Sequence, residues 1–252
     1  MGRRAERPGE PVSGAAAAAA GAPGTLDLLR RGEVEVKGRL PWSSNGTFLV
    51  DVCLDGEETL AVYKPLRGER PLWDYPPGLY RREVAVYLVS EALGWGLVPE
   101  TVVRVDGPLG EGSLQRFVPS HFEEHYFTML ERPELHDALR TICLFDLVVN
   151  NGDRKSGHCL RGDDGRIWAI DHGLCLHDEP KLRTVIWDFA GQPLPPHRLD
   201  DVARLAASPP PGLETLLEPA EVDALAARAA AVLRRPVFPA IRSARAYPWP
   251  LV

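Results

Sequence analysis

No apolar run in the sequence approaches the roughly 20 residues that a membrane-spanning helix needs, which excludes a helical membrane protein. Basic residues are in the minority, 29 Lys and Arg against 35 Asp and Glu, for a formal net charge of −6. A general nucleic-acid binder shows a basic surface or stripe, so that class is disfavoured, while a local basic patch stays open. Cysteine is scarce. Cys53, Cys143, Cys159 and Cys175 are widely spaced, and no C-x-x-C pair marks a redox or zinc-knuckle motif. A zinc site built from Cys159, Cys175 and His158 or His172 is the weaker reading. The better one is four small hydrophobes in a reducing cytoplasm. No internal repeat is visible.

What is present is an ordinary globular composition, 44% hydrophobic and 25% charged, in 252 residues. That length suits one large domain or two small lobes sharing a cleft. Arg3-Arg4 and the alanine run 15–20 faintly resemble an export signal. Glu6, Pro8, Glu10 and Pro11 interrupt it, and alanines make a poor apolar core. The expectation is a cytoplasmic protein with a disordered leader over residues 1–24.

After that leader, Thr25-Leu26-Asp27-Leu28-Leu29 reads as a short capped helical turn. Alternating residues over 33–38, 47–54 and 59–64 predict three strands, with Asp55-Gly56 as the hairpin signal between the last two. The turn Pro41-Trp42-Ser43-Ser44-Asn45-Gly46 joins the first two strands; it reads equally as a plain hairpin loop or as an anion cradle of N–H and hydroxyl groups. Lys64 ends the third strand, a place where a lysine is most often just a solvated strand end. A polar, Pro-rich connection over 67–77 leads to an amphipathic helix over 79–93, stopped by Gly94. Glu83 lies in its first turn, where it favours the helix dipole, and is also a candidate partner for Lys64. Strands are expected at 100–105 and 112–118. A helix follows at 134–150, then two strands around the turn Gly162-Asp163-Asp164-Gly165, then Pro-punctuated helices including 200–207 and 219–235.

Two stretches carry chemistry: Asn150-Asn151-Gly152-Asp153-Arg154-Lys155-Ser156-Gly157-His158 and Ile170-Asp171-His172-Gly173. Each acidic residue taken alone has a bland reading, Asp153 in a polar turn and Asp171 at a strand end. Phosphoryl transfer needs a carboxylate to orient a hydroxyl, another to hold Mg²⁺, and a cation for the moving phosphate. In order along the chain they resemble the protein-kinase-like arrangement of strand Lys, helix Glu, loop Asp and a later Asp-x-Gly. The run from Phe145 through Asp146, Asn151, Asp153 and Arg154 resembles the catalytic loop of phosphatidylinositol 3- and 4-kinases, the type II 4-kinases most of all. Those enzymes carry a similar D-x-x-x-x-N-x-D-R run and an I-D-N-G-L metal motif, matched here by Ile170-Asp171-His172-Gly173-Leu174. HipA-type kinases share the N-x-D element. The chain is also similar to a largely actinobacterial family grouped by distant likeness to these lipid kinases.

The resemblance spans about residues 38–187 and implies an α+β, two-lobed protein-kinase-like fold, with a strand-rich N-lobe over 25–118 and a mainly helical C-lobe over 119–252. It implies ATP and Mg²⁺, with Mn²⁺ as the alternative ion. Ser43, Ser44, Asn45 and Gly46 would cover the phosphates, and Lys64 would contact them and pair with Glu83. Gln115, Arg116, Phe117 and Val118 would form the hinge that reads adenine. Asp153 would orient and deprotonate the acceptor, Lys155 would neutralise charge on the moving phosphoryl group, and Asp171 would hold the metal. One departure is His158, at a position where the family carries Asn as a second metal ligand. Either it coordinates a softer ion, or it touches phosphate beside a single metal, or catalysis is lost and nucleotide binding remains.

The activation segment after Asp171 balances Lys181 and Arg183 with Asp178 and Glu179, little basic charge for a phosphoinositide head group. His172 is expected to hydrogen-bond near the motif, His177 to lie on the surface, and Trp187 and the 247–250 tail to pack over the last helices. The function expected is ATP-dependent phosphotransfer to an unknown acceptor, protein Ser/Thr slightly favoured over lipid, with no nucleic-acid partner and no stable membrane insertion. A nucleotide-binding pseudokinase and an AMP transferase are the alternatives.

Overall fold

The computed structural model describes residues 24–252 apart from 42, 44, 122, 242 and 243. The expected leader, all but Gly24, and Trp42 and Ser44 of the anion-cradle loop therefore lie outside the described residues. Helix α1 (Thr25–Arg31) starts on Gly24 with no side-chain cap, so Thr25 is its first residue and not its cap. Strands β1 (Glu33–Arg39), β2 (Phe48–Leu54) and β3 (Glu57–Pro65) form an antiparallel meander. The β2–β3 turn places Asp55 and Gly56 at φ 54° and 86°, the left-handed pair that a two-residue hairpin needs.

Helix α2 (Leu79–Leu93) comes next, then β4 (Thr101–Gly107) and β5 (Gly110–Arg116), completing a five-stranded sheet in the order β1-β2-β3-β5-β4. Period-two alternation decides which side chains meet. Ala61 and Tyr63 join Leu29, Val50, Val52, Val102 and Leu114 in a small core under α1. Lys64, one residue on, turns to the opposite face.

The second half is helical: α3 (Tyr126–Leu130), α4 (His136–Val149), the hairpin β6 (Cys159–Arg161) and β7 (Ile167–Ala169), α5 (Leu199–Ala207) and α6 (Pro219–Arg234). Its core holds Ile142, Phe145, Val149, Phe189 and Leu225, and also takes in Ala85, Val86, Val89 and Leu93 of α2. The helix expected to be amphipathic is instead buried nearly all round. Its polar residues have found partners: Arg82 bonds Glu221 of α6 and the Cys175 carbonyl, and Ser90 Oγ accepts the N–H groups of Leu97 and Val98. Gly94, at φ 69°, ends the helix as expected. No helix among the described residues is long and apolar enough to cross a membrane.

Two smaller expectations change. His177 is half-buried, its ring edge-on to Tyr75, because its carbonyl is gripped by Asn150 and Arg228. Trp187 and Tyr247 do pack against each other, whereas Trp249 is 86% exposed.

Candidate active site

The sheet and the helical half meet at a cavity of ≈ 280 Å³ whose lining includes Ser43, Asn45, Gly46, Lys64, Glu83, Asp153 and Asp171. Lys64 enters from the end of β3 and Glu83 from the first turns of α2, where the two form an ion pair. Lys64 Nζ also lies 2.8 Å from Asp171 Oδ1. Burial alone would strip the lysine of its charge, but Asp171 and Glu83 outweigh it and raise its pKa. Burial pushes Glu83 upward against the pull of Lys64, and its second oxygen accepts the His172 N–H at 2.9 Å.

Asp171 sits at φ 60°, a left-handed turn that swings its carboxylate into the cleft just after β7. Burial would raise its pKa; Lys64 and His158 overcome that and hold it below the usual carboxylate range. His158 Nε2 is 3.2 Å from Asp171 Oδ2. On the other side of the ring, Nδ1 is 3.0 Å from the Asp153 carbonyl and 3.3 Å from the Lys155 N–H. Burial pushes His158 down to about 4, so the ring is neutral at pH 7 and carries one N–H.

That ring offers two tautomers. With Nε2–H it donates to Asp171. With Nδ1–H it donates to the Asp153 carbonyl and frees an Nε2 lone pair beside Asp171 Oδ2, the arrangement of a metal-binding histidine anchored on a backbone carbonyl. No group of three His, Cys, Asp or Glu side chains suited to a metal is present among the described residues. One carboxylate and one imidazole fit an ion that completes its shell with phosphate oxygens and water, and the nitrogen donor shifts preference from Mg²⁺ toward Mn²⁺. Cys143, Cys159 and Cys175 are buried free thiols, as the reading of four small buried hydrophobes expects, whereas Cys53 is only half-buried.

Asp153 follows α4 after a turn at Asn150, whose φ of 55° caps the helix. Burial raises the Asp153 carboxyl to about 6, with Lys155, 3.2 Å away, pulling it back. The loop is held from below by a buried ion pair, Asp146 with Arg154, whose contact the D-x-x-x-x-N-x-D-R spacing does not itself reveal. Arg154 is fully buried and forks onto both oxygens of Asp146 on α4, the carbonyls of His158 and Ile170, and His172 Nε2. Asn151 bonds Asp146 with its amide and accepts the Asp153 N–H with its carbonyl oxygen. Because a guanidinium only donates, His172 Nε2 is the acceptor and burial keeps that ring neutral.

The anion-cradle loop has a partner the sequence did not reveal. The Gly46 N–H bonds the Gly68 carbonyl at 2.8 Å, and Asn45 Oδ1 accepts the Arg70 N–H at 3.0 Å. A Cβ on Gly46 would come within 2.9 Å of Gly68 Cα, so the close approach requires glycine. Ser43 Oγ and Thr47 Oγ1 share a 2.7 Å hydrogen bond. Residues 67–77, expected as a mere connection, thus form a wall of the cavity. Their Glu69 bonds the N–H groups of Gly78 and Tyr80, capping α2.

The expected hinge is not brought into this cavity. The Gln115 amide donates to Thr101, and the N–H groups of Arg116 and Phe117 are spent on the carbonyls of Glu100 and Leu60. Val118 is buried.

Residues 82–203 match the family model described as phosphatidylinositol 3- and 4-kinase. The chain is 41% identical to Protein Rv2133c of Mycobacterium tuberculosis, over 88% of this chain and 94% of that protein. Among solved structures, hydra Fam20 with sugar resembles it with a TM-score of 0.55 at 13% identity, over 83% of this chain and 86% of that one. The Helicobacter pylori proinflammatory kinase CtkA does so with a TM-score of 0.48 at 12% identity, over 83% and 94%.

Proposed function

Because the chain belongs to the same family as Protein Rv2133c and its residues 82–203 match the phosphatidylinositol 3- and 4-kinase model, we propose that it transfers the γ-phosphoryl group of ATP to a hydroxyl acceptor. The observation that carries this reading is the convergence of Lys64, Glu83, Asp171, Asp153 and Lys155 around one cleft, from four separate places in the sequence. Lys64 would bind the ATP phosphates, its orientation set by Glu83. Asp171, with His158 beside it, would hold the divalent ion, which neutralises charge on the phosphates when bound. Ser43, Ser44, Asn45 and Gly46 would cover the phosphates.

In the transfer step the acceptor oxygen bonds to the γ-phosphorus as the bond to the bridging oxygen breaks, and ADP leaves. Asp153 orients the acceptor hydroxyl and receives its proton, a role suited to a carboxyl near pKa 6. Lys155 places positive charge beside the moving group. Protein Ser/Thr is favoured as acceptor over a phosphoinositide, because Lys181 in the activation segment already faces Asp74 and Glu179.

A second reading, a nucleotide-binding pseudokinase, is favoured by one observation, the 3.2 Å contact of His158 Nε2 with Asp171 Oδ2, which in the Nε2–H tautomer leaves no lone pair there for an ion. Radiolabelled ATP turnover and autophosphorylation in Mg²⁺ and in Mn²⁺, with Asp153→Ala and Asp171→Ala as controls, separates the two. Transfer lost in both variants, with folding intact by circular dichroism, is expected. Unchanged turnover in either variant sinks the assignment. ATP-induced thermal stabilisation with no transfer in either metal favours the pseudokinase.

A further inference from the structure

Outside the catalytic cleft, the end of the sheet carries a second depression that shares Gly46, Pro65 and Arg70 with the cleft itself. Arg39 from the end of β1 and Arg67 just after β3 complete its polar lining with Arg70, and Phe48, Pro65 and Leu109 supply apolar surface between them. All three arginines are exposed, and none of their guanidinium groups has an acidic partner among the described residues. Of the acids around it, Glu69 caps α2, Asp106 pairs with Arg104, and Glu111 on β5 lies by Tyr80 and Arg81. Three unpaired guanidinium groups in a chain of net charge −6 are a local reversal of sign beside the entrance to the site.

We propose that this arginine-lined depression docks an acidic or phosphorylated segment of a protein substrate, and so places a Ser or Thr hydroxyl of that segment at Asp153. The proposal rests on the phosphotransferase reading. Guanidinium groups recognise carboxylate and phosphate with paired N–H donors. The apolar floor between them takes the side chains of an extended peptide, and the overall negative charge opposes approach to an anionic bilayer. The shared residues give a route from depression to cleft: Arg70 lines both, and its backbone N–H bonds Asn45 of the phosphate-covering loop.

The test uses the full chain, a fluorescent Ser-containing peptide with a run of Asp and Glu, and the same peptide with those residues replaced by Asn and Gln. The Arg39→Gln/Arg67→Gln variant changes two exposed side chains outside the catalytic cavity, and an ATP-induced thermal shift equal to the parent's checks that cavity. By anisotropy the acidic peptide is expected to bind about tenfold more tightly than the neutral one, and the double variant or raised salt erases the difference. Equal binding of the two peptides, or undiminished binding by the double variant, overturns the docking site. So does variant-sensitive sedimentation with phosphatidylserine vesicles without peptide preference, which would make the patch a lipid contact. Selective binding of the acidic peptide with no phosphate transfer to it or to any acceptor overturns the kinase reading and leaves the docking surface standing. Transfer to both peptides with equal KM does the reverse.

Discussion

Lys155 sets the working range of its neighbour. Burial moves the Asp153 carboxyl to about 6, and the lysine beside it limits that rise. A base must be ionised, so turnover is expected to fall as pH drops through about 6. Lys155→Met removes the cation that favours the carboxylate, which moves the acid limb to higher pH as well as lowering the plateau. The check is kcat against pH for both proteins between about pH 5 and 8. A lower plateau with an unmoved limb would leave Lys155 acting on phosphate alone. His158 and Asp171 differ from this pair because an ion would replace their mutual contact, so metal choice is their readout.

At the scale of elements, α4 and the loop after it stand or fall on one buried contact. Asp146 occupies the helix face that meets the loop, and Arg154 spends its donors on that carboxylate, two carbonyls and His172. Asp146→Ala leaves a fully buried guanidinium without its counter-charge, which is expected to cost about 3–5 kcal/mol. Urea unfolding measures it as a lower midpoint at constant slope. A loss under about 1 kcal/mol would mean that water or His172 replaces the carboxylate. Apolar alternation made most of this frame legible: β1 to β5 lie within a few residues of their expected bounds, and the pair Asp55-Gly56 marked its own turn. The character of α2 was not legible, because Arg82 and Ser90 read as a polar face until their partners, 139 and 7 residues away, are in place. The same holds for residues 67–77, whose Pro and charged residues look like linker composition; Glu69 caps a helix from nine and eleven residues upstream. The site was legible where short motifs carried it, at Asp153, Lys155, His158 and Asp171, and fainter where it depended on sheet register, as at the expected hinge.

Across the whole molecule, α2 is the element that ties the sheet to the helical half. Its apolar residues belong to the larger helical core, it packs on β4 and β5, and Arg82 and Glu83 anchor it to α6, Cys175, Lys64 and the His172 backbone. A helix tied to both halves in this way has few contacts to gain by swinging. Nucleotide binding is therefore expected to order the cleft rim and leave α2 as it is. Hydrogen exchange followed by mass spectrometry tests this directly. In the nucleotide-free protein, α2 amides should be as protected as those of α4, and ATP with Mn²⁺ should add protection mainly at 43–47 and 66–72, where Gly46–Gly68 and Asn45–Arg70 form the wall. Fast exchange through α2 that slows only on adding nucleotide would show the opposite. The Lys64–Glu83 pair would then be one state of a switch and not a fixed part of the site.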